Sequence, residues 1–120
     1  MLSDLPVIDI DAPDKLRASI TDAKFMPLLN KFLGDLERRS LYVAQLKMRR
    51  EIDEIGQEAH KTILGAAVFG AKQVLSLAED LQKACRAGDA ASAETLVDRF
   101  LPASAAAQAA LCERYGAKPH

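Results

Sequence analysis

Four stretches of this chain repeat apolar residues at intervals of three, four or seven, the spacing at which an α-helix returns to the same face. The first stripe is Phe25, Leu29, Phe32, Leu36 and Val43, and the second is Ile52, Ile55, Ala59 and Ile63. The third is Val74, Leu77, Leu81 and Cys85, and the fourth is Ala93, Val97, Phe100, Ser104, Ala107 and Leu111. A helix with one apolar stripe must bury it against a neighbour, and four such helices joined by short connections bury theirs against one another. Ala and Leu abound, Trp is absent and aromatics make up 5% of the chain, a composition that favours helix over sheet. The expected fold class is therefore all-α: an antiparallel four-helix bundle preceded by a short N-terminal helix.

The punctuation between stripes sets the boundaries. Residues 1–11, with Pro6 and scattered acids, read as a flexible lead-in, and Asp11, Pro13 and Asp14 open the short helix that carries Leu16 and Ile20. Thr21 and Asp22 interrupt it. Pro27 is placed in the first turn of the next helix, where a missing N–H costs little, so that helix is expected to start later than Asp22. No Gly or Pro separates Leu46 from Ile52. A single helix over 24–64 would nevertheless be about 60 Å long at 1.5 Å per residue, too long for a compact chain of this size, so a turn is expected near Met48 to Glu51. Gly65 to Gly70 reads as a tight connection, Gly88 as a C-cap, Asp89 as the cap of the last helix, and Pro102 as a kink or break within it. Residues 116–120 read as a flexible tail, and 1–120 as a single domain.

At 120 residues the chain can bury one core without staples. A net charge of -1 gives no global field toward nucleic acid, and the basic stretch Arg38, Arg39, Lys47, Arg49 and Arg50 reads as a solvated helix face and turn. No apolar run reaches the roughly 20 residues of a membrane span, and the first ten residues lack the pattern of a signal peptide. Cys85 and Cys112 have no metal-type spacing and read as reduced thiols packed on the core. These readings place the protein in the cytoplasm, away from nucleic acid and membrane.

The candidates for chemistry are few. There are two histidines, one of them the last residue, and no Ser-His-Asp or Cys-His pairing, Gly-rich phosphate loop or metal-ligand cluster is legible. Glu51, Asp53 and Glu54 read as first-turn acids at a helix N-terminus. This inventory does not describe a stand-alone catalyst. His60 lies about 100° around the helix from Ala59, off the core stripe, one turn after Gly56, whose small size leaves the imidazole open to a large partner surface. An imidazole in water is largely unprotonated at neutral pH and can act as a nucleophile.

The run AHKTILGAAVFGA over 59–71 resembles the signature of histidine-containing phosphotransfer domains: an Ala-His start and a Phe-Gly-Ala close with its Gly ten residues after the histidine. The run of Leu75, Ala78 and Leu81, the Ala87-Gly88-Asp89 turn, and the Leu16 opening extend the resemblance over nearly the whole chain. It implies that His60 accepts a phosphoryl group from an aspartyl phosphate and returns it reversibly, with a response-regulator receiver domain and a hybrid or sensor histidine kinase as partners. It further implies a monomer without a cofactor of its own, Mg²⁺ being supplied by the receiver. Gln82 stands where the family places a Gln or Glu that hydrogen-bonds the far ring nitrogen, and Arg86 matches a basic position seen near the phosphate in some members. A plain solvated role stays open for both.

Two positions depart from the family. Ile63 and Leu64 stand where a Lys-Gly pair is common, the Lys helping to neutralise phosphate and the Gly allowing close approach. Lys61 could supply the charge instead, and Gly65 the gap. The departures sustain an alternative, a degenerate bundle of the same fold that binds receiver or kinase domains without carrying phosphate; in either case Gly56 and Leu64 are docking candidates. A kinase dimerisation helix pair would want an acid after the histidine, where Lys61 stands, and a purely structural bundle would make His60 incidental.

Overall fold

The computed structural model describes residues 4–117. Five helices follow in order: α1 (Asp11–Ser19), α2 (Asp22–Arg49), α3 (Ile52–Val68), α4 (Lys72–Arg86) and α5 (Ala90–Tyr115). The last four form an antiparallel bundle in which each packs on the next and α5 returns to α2, while α1 lies across α2 and α3. The molecule measures 42 × 26 × 19 Å. No helix among the described residues is long and apolar enough to cross a membrane.

The core follows the stripes. Phe25, Leu29, Phe32, Leu36, Val43 and Leu46 of α2 meet Val74, Leu77 and Leu81 of α4 and Val97, Phe100 and Leu111 of α5 in one buried cluster. On α3 the buried line is Ile55, Ala59, Thr62 and Ala66, so Ile63, expected on the stripe, is only half-buried at its edge. Thr62 is fully buried, and its hydroxyl donates to the carbonyl of Glu58 one turn back, which satisfies it.

Connections are tight. Arg50 adopts a left-handed backbone (φ 58°) between α2 and α3, and the N–H groups of Arg50 and Glu51 close onto the carbonyls of Lys47 and Leu46. Asp89 caps α5 by accepting from the Ser92 N–H at 3.1 Å.

Several expectations need correction. Pro27 is not in a first turn: α2 begins at Asp22 and runs through it. The carbonyl deprived of a partner is that of Ala23, and both residues are solvent-exposed. Pro102 does not split α5. Gly65 is helical, not part of a turn, and only Phe69 to Ala71 connect α3 to α4. A Cβ at Gly65 would lie 2.7 Å from Cδ1 of Phe32, so this glycine lets the ring of α2 close onto α3. The lead-in over residues 4–10 is docked: Asp9 N–H donates to the Gly70 carbonyl at 2.7 Å, Gln73 Nε2 donates to the Leu5 carbonyl, and Val7 and Ile8 pack on the core. Gly70 has φ +69°, and a Cβ there would come within 2.1 Å of the Asp9 carbonyl oxygen. At the other end Gly116 caps α5 with φ 68° and Ala117 is buried; the expected tail over 118–120 and the lead-in residues 1–3 lie outside the described residues.

Candidate functional site

The site forms where α3 and α4 approach each other. A Cβ at Gly56 would stand 2.8 Å from Cβ of Cys85, so the glycine brings the two helices together. This differs from the expected role of clearing space for a partner: the space at Gly56 is filled by Cys85. That thiol is buried, and its pKa is pushed up, first by burial and then by the charge of Asp53, which leaves it protonated.

Above this contact runs an open groove of about 530 Å³ lined by Asp53, Gly56, Gln57, His60, Lys61, Gln82, Cys85 and Arg86. His60 is exposed, and half-buried Gln82 reaches it from α4, its Nε2 2.7 Å from Nδ1 of the ring. In this orientation the amide N–H donates to Nδ1 and the ring proton sits on Nε2. Turning the amide by 180° reverses the roles: its carbonyl accepts from Nδ1–H, and Nε2 carries the free lone pair. The amide therefore selects the tautomer.

Arg86 is exposed one turn beyond Gln82 in the same groove, and among the described residues no hydrogen bond or ion pair engages it. Lys61 pairs with Glu58 of its own helix at 3.0 Å, so its charge is largely compensated. Leu64 is 74% exposed, one turn after His60, and Val68 follows one turn later, so that the two form an apolar ridge beside the ring. Gly65 faces Phe32 of α2, away from His60, and provides no gap for a partner.

Gln57 and Arg39 were not singled out from the sequence. Asp53, read only as a first-turn acid, also borders the groove. Arg39, read as part of a solvated basic face, donates from its guanidinium to the Lys61 carbonyl at 3.1 Å. Nothing in local spacing links residues of two helices in this way; a basic residue on the α3-facing side of α2 was the sole available signal. Among the described residues no group of His, Cys, Asp and Glu side chains is arranged to hold a metal ion.

No family profile matches the chain, and no curated protein matches it in sequence. The fold does have a solved counterpart: the crystal structure of histidine-containing phosphotransfer protein B (HptB) from Pseudomonas aeruginosa PAO1 superposes with a TM-score of 0.83. The match spans 94% of this chain and 98% of that one at 19% identity. The chain shares the fold of that protein. At that identity the likeness establishes architecture, and the chemistry has to be argued from the groove itself.

Proposed function

We propose that this protein is a phosphorelay carrier that accepts a phosphoryl group on His60 and exchanges it with an aspartate of a receiver domain. The observation that carries this reading is the solvent-open imidazole of His60, held through Nδ1 by Gln82 in a groove where the Cys85 thiol is kept protonated. With the amide carbonyl turned to accept from Nδ1–H, the Nε2 lone pair points to solvent. It attacks the phosphorus of an aspartyl phosphate in line; the N–P bond forms as the P–O bond breaks, and the carboxylate leaves. Both phosphorylated states are of high energy, so the exchange is reversible. The bundle supplies position, and the receiver supplies Mg²⁺ and the groups that stabilise the transferring phosphoryl. The protein acts as a cytoplasmic monomer between a hybrid or sensor histidine kinase and a response regulator.

A second reading, an adaptor that docks on such partners without carrying phosphate, draws on Leu64, which puts exposed apolar bulk beside the ring, and on Lys61, whose charge is compensated by Glu58. Incubation with a phosphorylated receiver domain, followed by mapping of acid-labile, base-stable phosphate, separates the two. The carrier labels at His60. His60→Gln abolishes the label while changing stability by no more than about 0.5 kcal/mol, as for other exposed substitutions. Label on a residue other than His60, or none, rejects the carrier in favour of the adaptor.

A further inference from the structure

Three of the six cations of α2 have acid partners. Lys31 and Arg38 share Asp35, and Lys47 reaches Asp98 of α5. Arg39 is different: its one hydrogen bond goes to the backbone carbonyl of Lys61, which as an interior helix carbonyl already receives the N–H of Gly65. Asp35 lies close enough to interact with the Arg39 charge, but its two oxygens are occupied by Lys31 and Arg38. The guanidinium thus has no carboxylate bonded to it directly and keeps most of its planar fork of donors. It sits on the α2 side of the turn from His60 to Leu64, while Arg86, also without an acid partner, occupies the α4 side. Two guanidinium groups without a hydrogen-bonded acid among the described residues therefore lie on either side of the α3 segment that carries His60.

We infer that Arg39 reads the docking partner: its guanidinium contacts a carboxylate on the rim of the protein surface that covers His60. This rests on the carrier reading above. An acceptor aspartate working with a divalent cation is surrounded by carboxylates, since hard cations are held by oxygen ligands. The bidentate fit of guanidinium to carboxylate gives such a contact geometric selectivity as well as attraction. Arg39 takes no part in the bond-making step, so its effect is confined to transfer between proteins.

The test uses two phosphoryl donors. Phosphoramidate, a small donor that needs no docking surface, loads His60 of the parent, Arg39→Gln and Arg39→Lys. Each loaded protein is mixed with a panel of purified receiver domains, and the receiver that the parent labels fastest serves as the probe. Gln retains an N–H for the Lys61 carbonyl but no charge, whereas Lys retains the charge. The expected result is equal phosphoramidate loading in all three, a roughly tenfold slower transfer to the receiver for Arg39→Gln at low salt with a flatter salt dependence, and recovery to within about threefold for Arg39→Lys. Equal transfer rates and salt slopes for Arg39→Gln and parent overturn the inference and leave the carrier reading standing. A parent that is not loaded at His60, or labels no receiver, overturns both.

Discussion

His60 combines exposure with a fixed ring because two helices divide the work: α3 carries the ring outward, and α4 holds Nδ1 through Gln82. The hydrogen bond orients the ring and does not take part in bond-making, so Gln82→Ala should slow phosphotransfer modestly and change the lifetime of the phosphohistidine without abolishing acceptance. Stopped-flow transfer and decay of the isolated phosphoprotein measure the two effects; if neither moves, Gln82 is a solvated residue with an incidental contact. Leu64 is exposed one turn from the ring, where a docked partner would cover it. Complete burial of a Leu is worth about 1.5–3 kcal/mol and about 1.4 kcal/mol is tenfold in affinity, so Leu64→Ala should weaken receiver binding by roughly tenfold. Tighter binding with faster transfer in that variant would identify Leu64 as an obstruction. The Gln82 contact was legible through the family resemblance, and the exposure of Leu64 through its helical phase. Arg39 was not, because its significance lies in a carbonyl on another helix.

Among the elements, the apolar periodicity placed the four bundle helices, the Asp11 to Asp14 start signals placed α1, and the Met48 to Glu51 turn follows from the length argument alone. Pro27, Pro102 and Gly65 were misread because they were taken as local punctuation, whereas Gly88 does close the end of α4. Pro27 is tolerated within α2 where the orphaned carbonyl is on an exposed stretch, and Gly65 is dictated by a ring on a different helix. The pattern on α3 was read one residue out of phase at its end for a related cause: Thr62 is polar yet buried, so a search for apolar residues chose Ile63. The glycines give a sharp test. In a helix Ala exceeds Gly by roughly 1 kcal/mol, so local propensity predicts that Gly65→Ala stabilises. The contact predicts the reverse. The Phe32 ring that the new Cβ would meet is already stacked on Phe69 at 5.0 Å and cannot swing away freely. Gly65→Ala should therefore lower stability by about 1–3 kcal/mol in urea unfolding, the usual cost of overpacking. A gain in stability would mean that α2 and α3 can slide apart without loss.

At the scale of the whole molecule, the two ends of the chain close the bundle together. The Asp14 carboxylate of α1 accepts from the Tyr115 hydroxyl at 2.6 Å and from Arg114 at 2.7 Å, both on α5, while Arg17 lies over the rings of Phe25 and Tyr115. This clasp and the Asp9–Gly70 hydrogen bond fix α1 across the end of the core. It also makes stability depend on pH at both extremes. The Asp14 pKa is lowered in the folded state, first by the Tyr115 hydrogen bond and then by that from Arg114. Its contribution is therefore present above the unfolded carboxyl pKa of about 3.9 and is lost as pH falls through the lower folded value. The Tyr115 pKa is raised, first by burial and then by its bond to Asp14, so its contribution is present below the unfolded phenol pKa of about 10 and is lost as pH rises through the higher folded value. Asp22 and Asp89 also have lowered values, so acid still weakens any single variant, and the informative quantity is the difference from the parent. Asp14→Asn should be less stable than the parent at neutral pH, with the gap narrowing below about pH 4 as the parent's own carboxylate is protonated. Tyr115→Phe should lose the extra alkaline sensitivity that the parent shows above about pH 10. Urea midpoints measured from pH 2 to 11 on the three proteins test both ends. Parallel curves across the whole range would show that the clasp adds nothing to stability and that α1 is held by its apolar contacts alone.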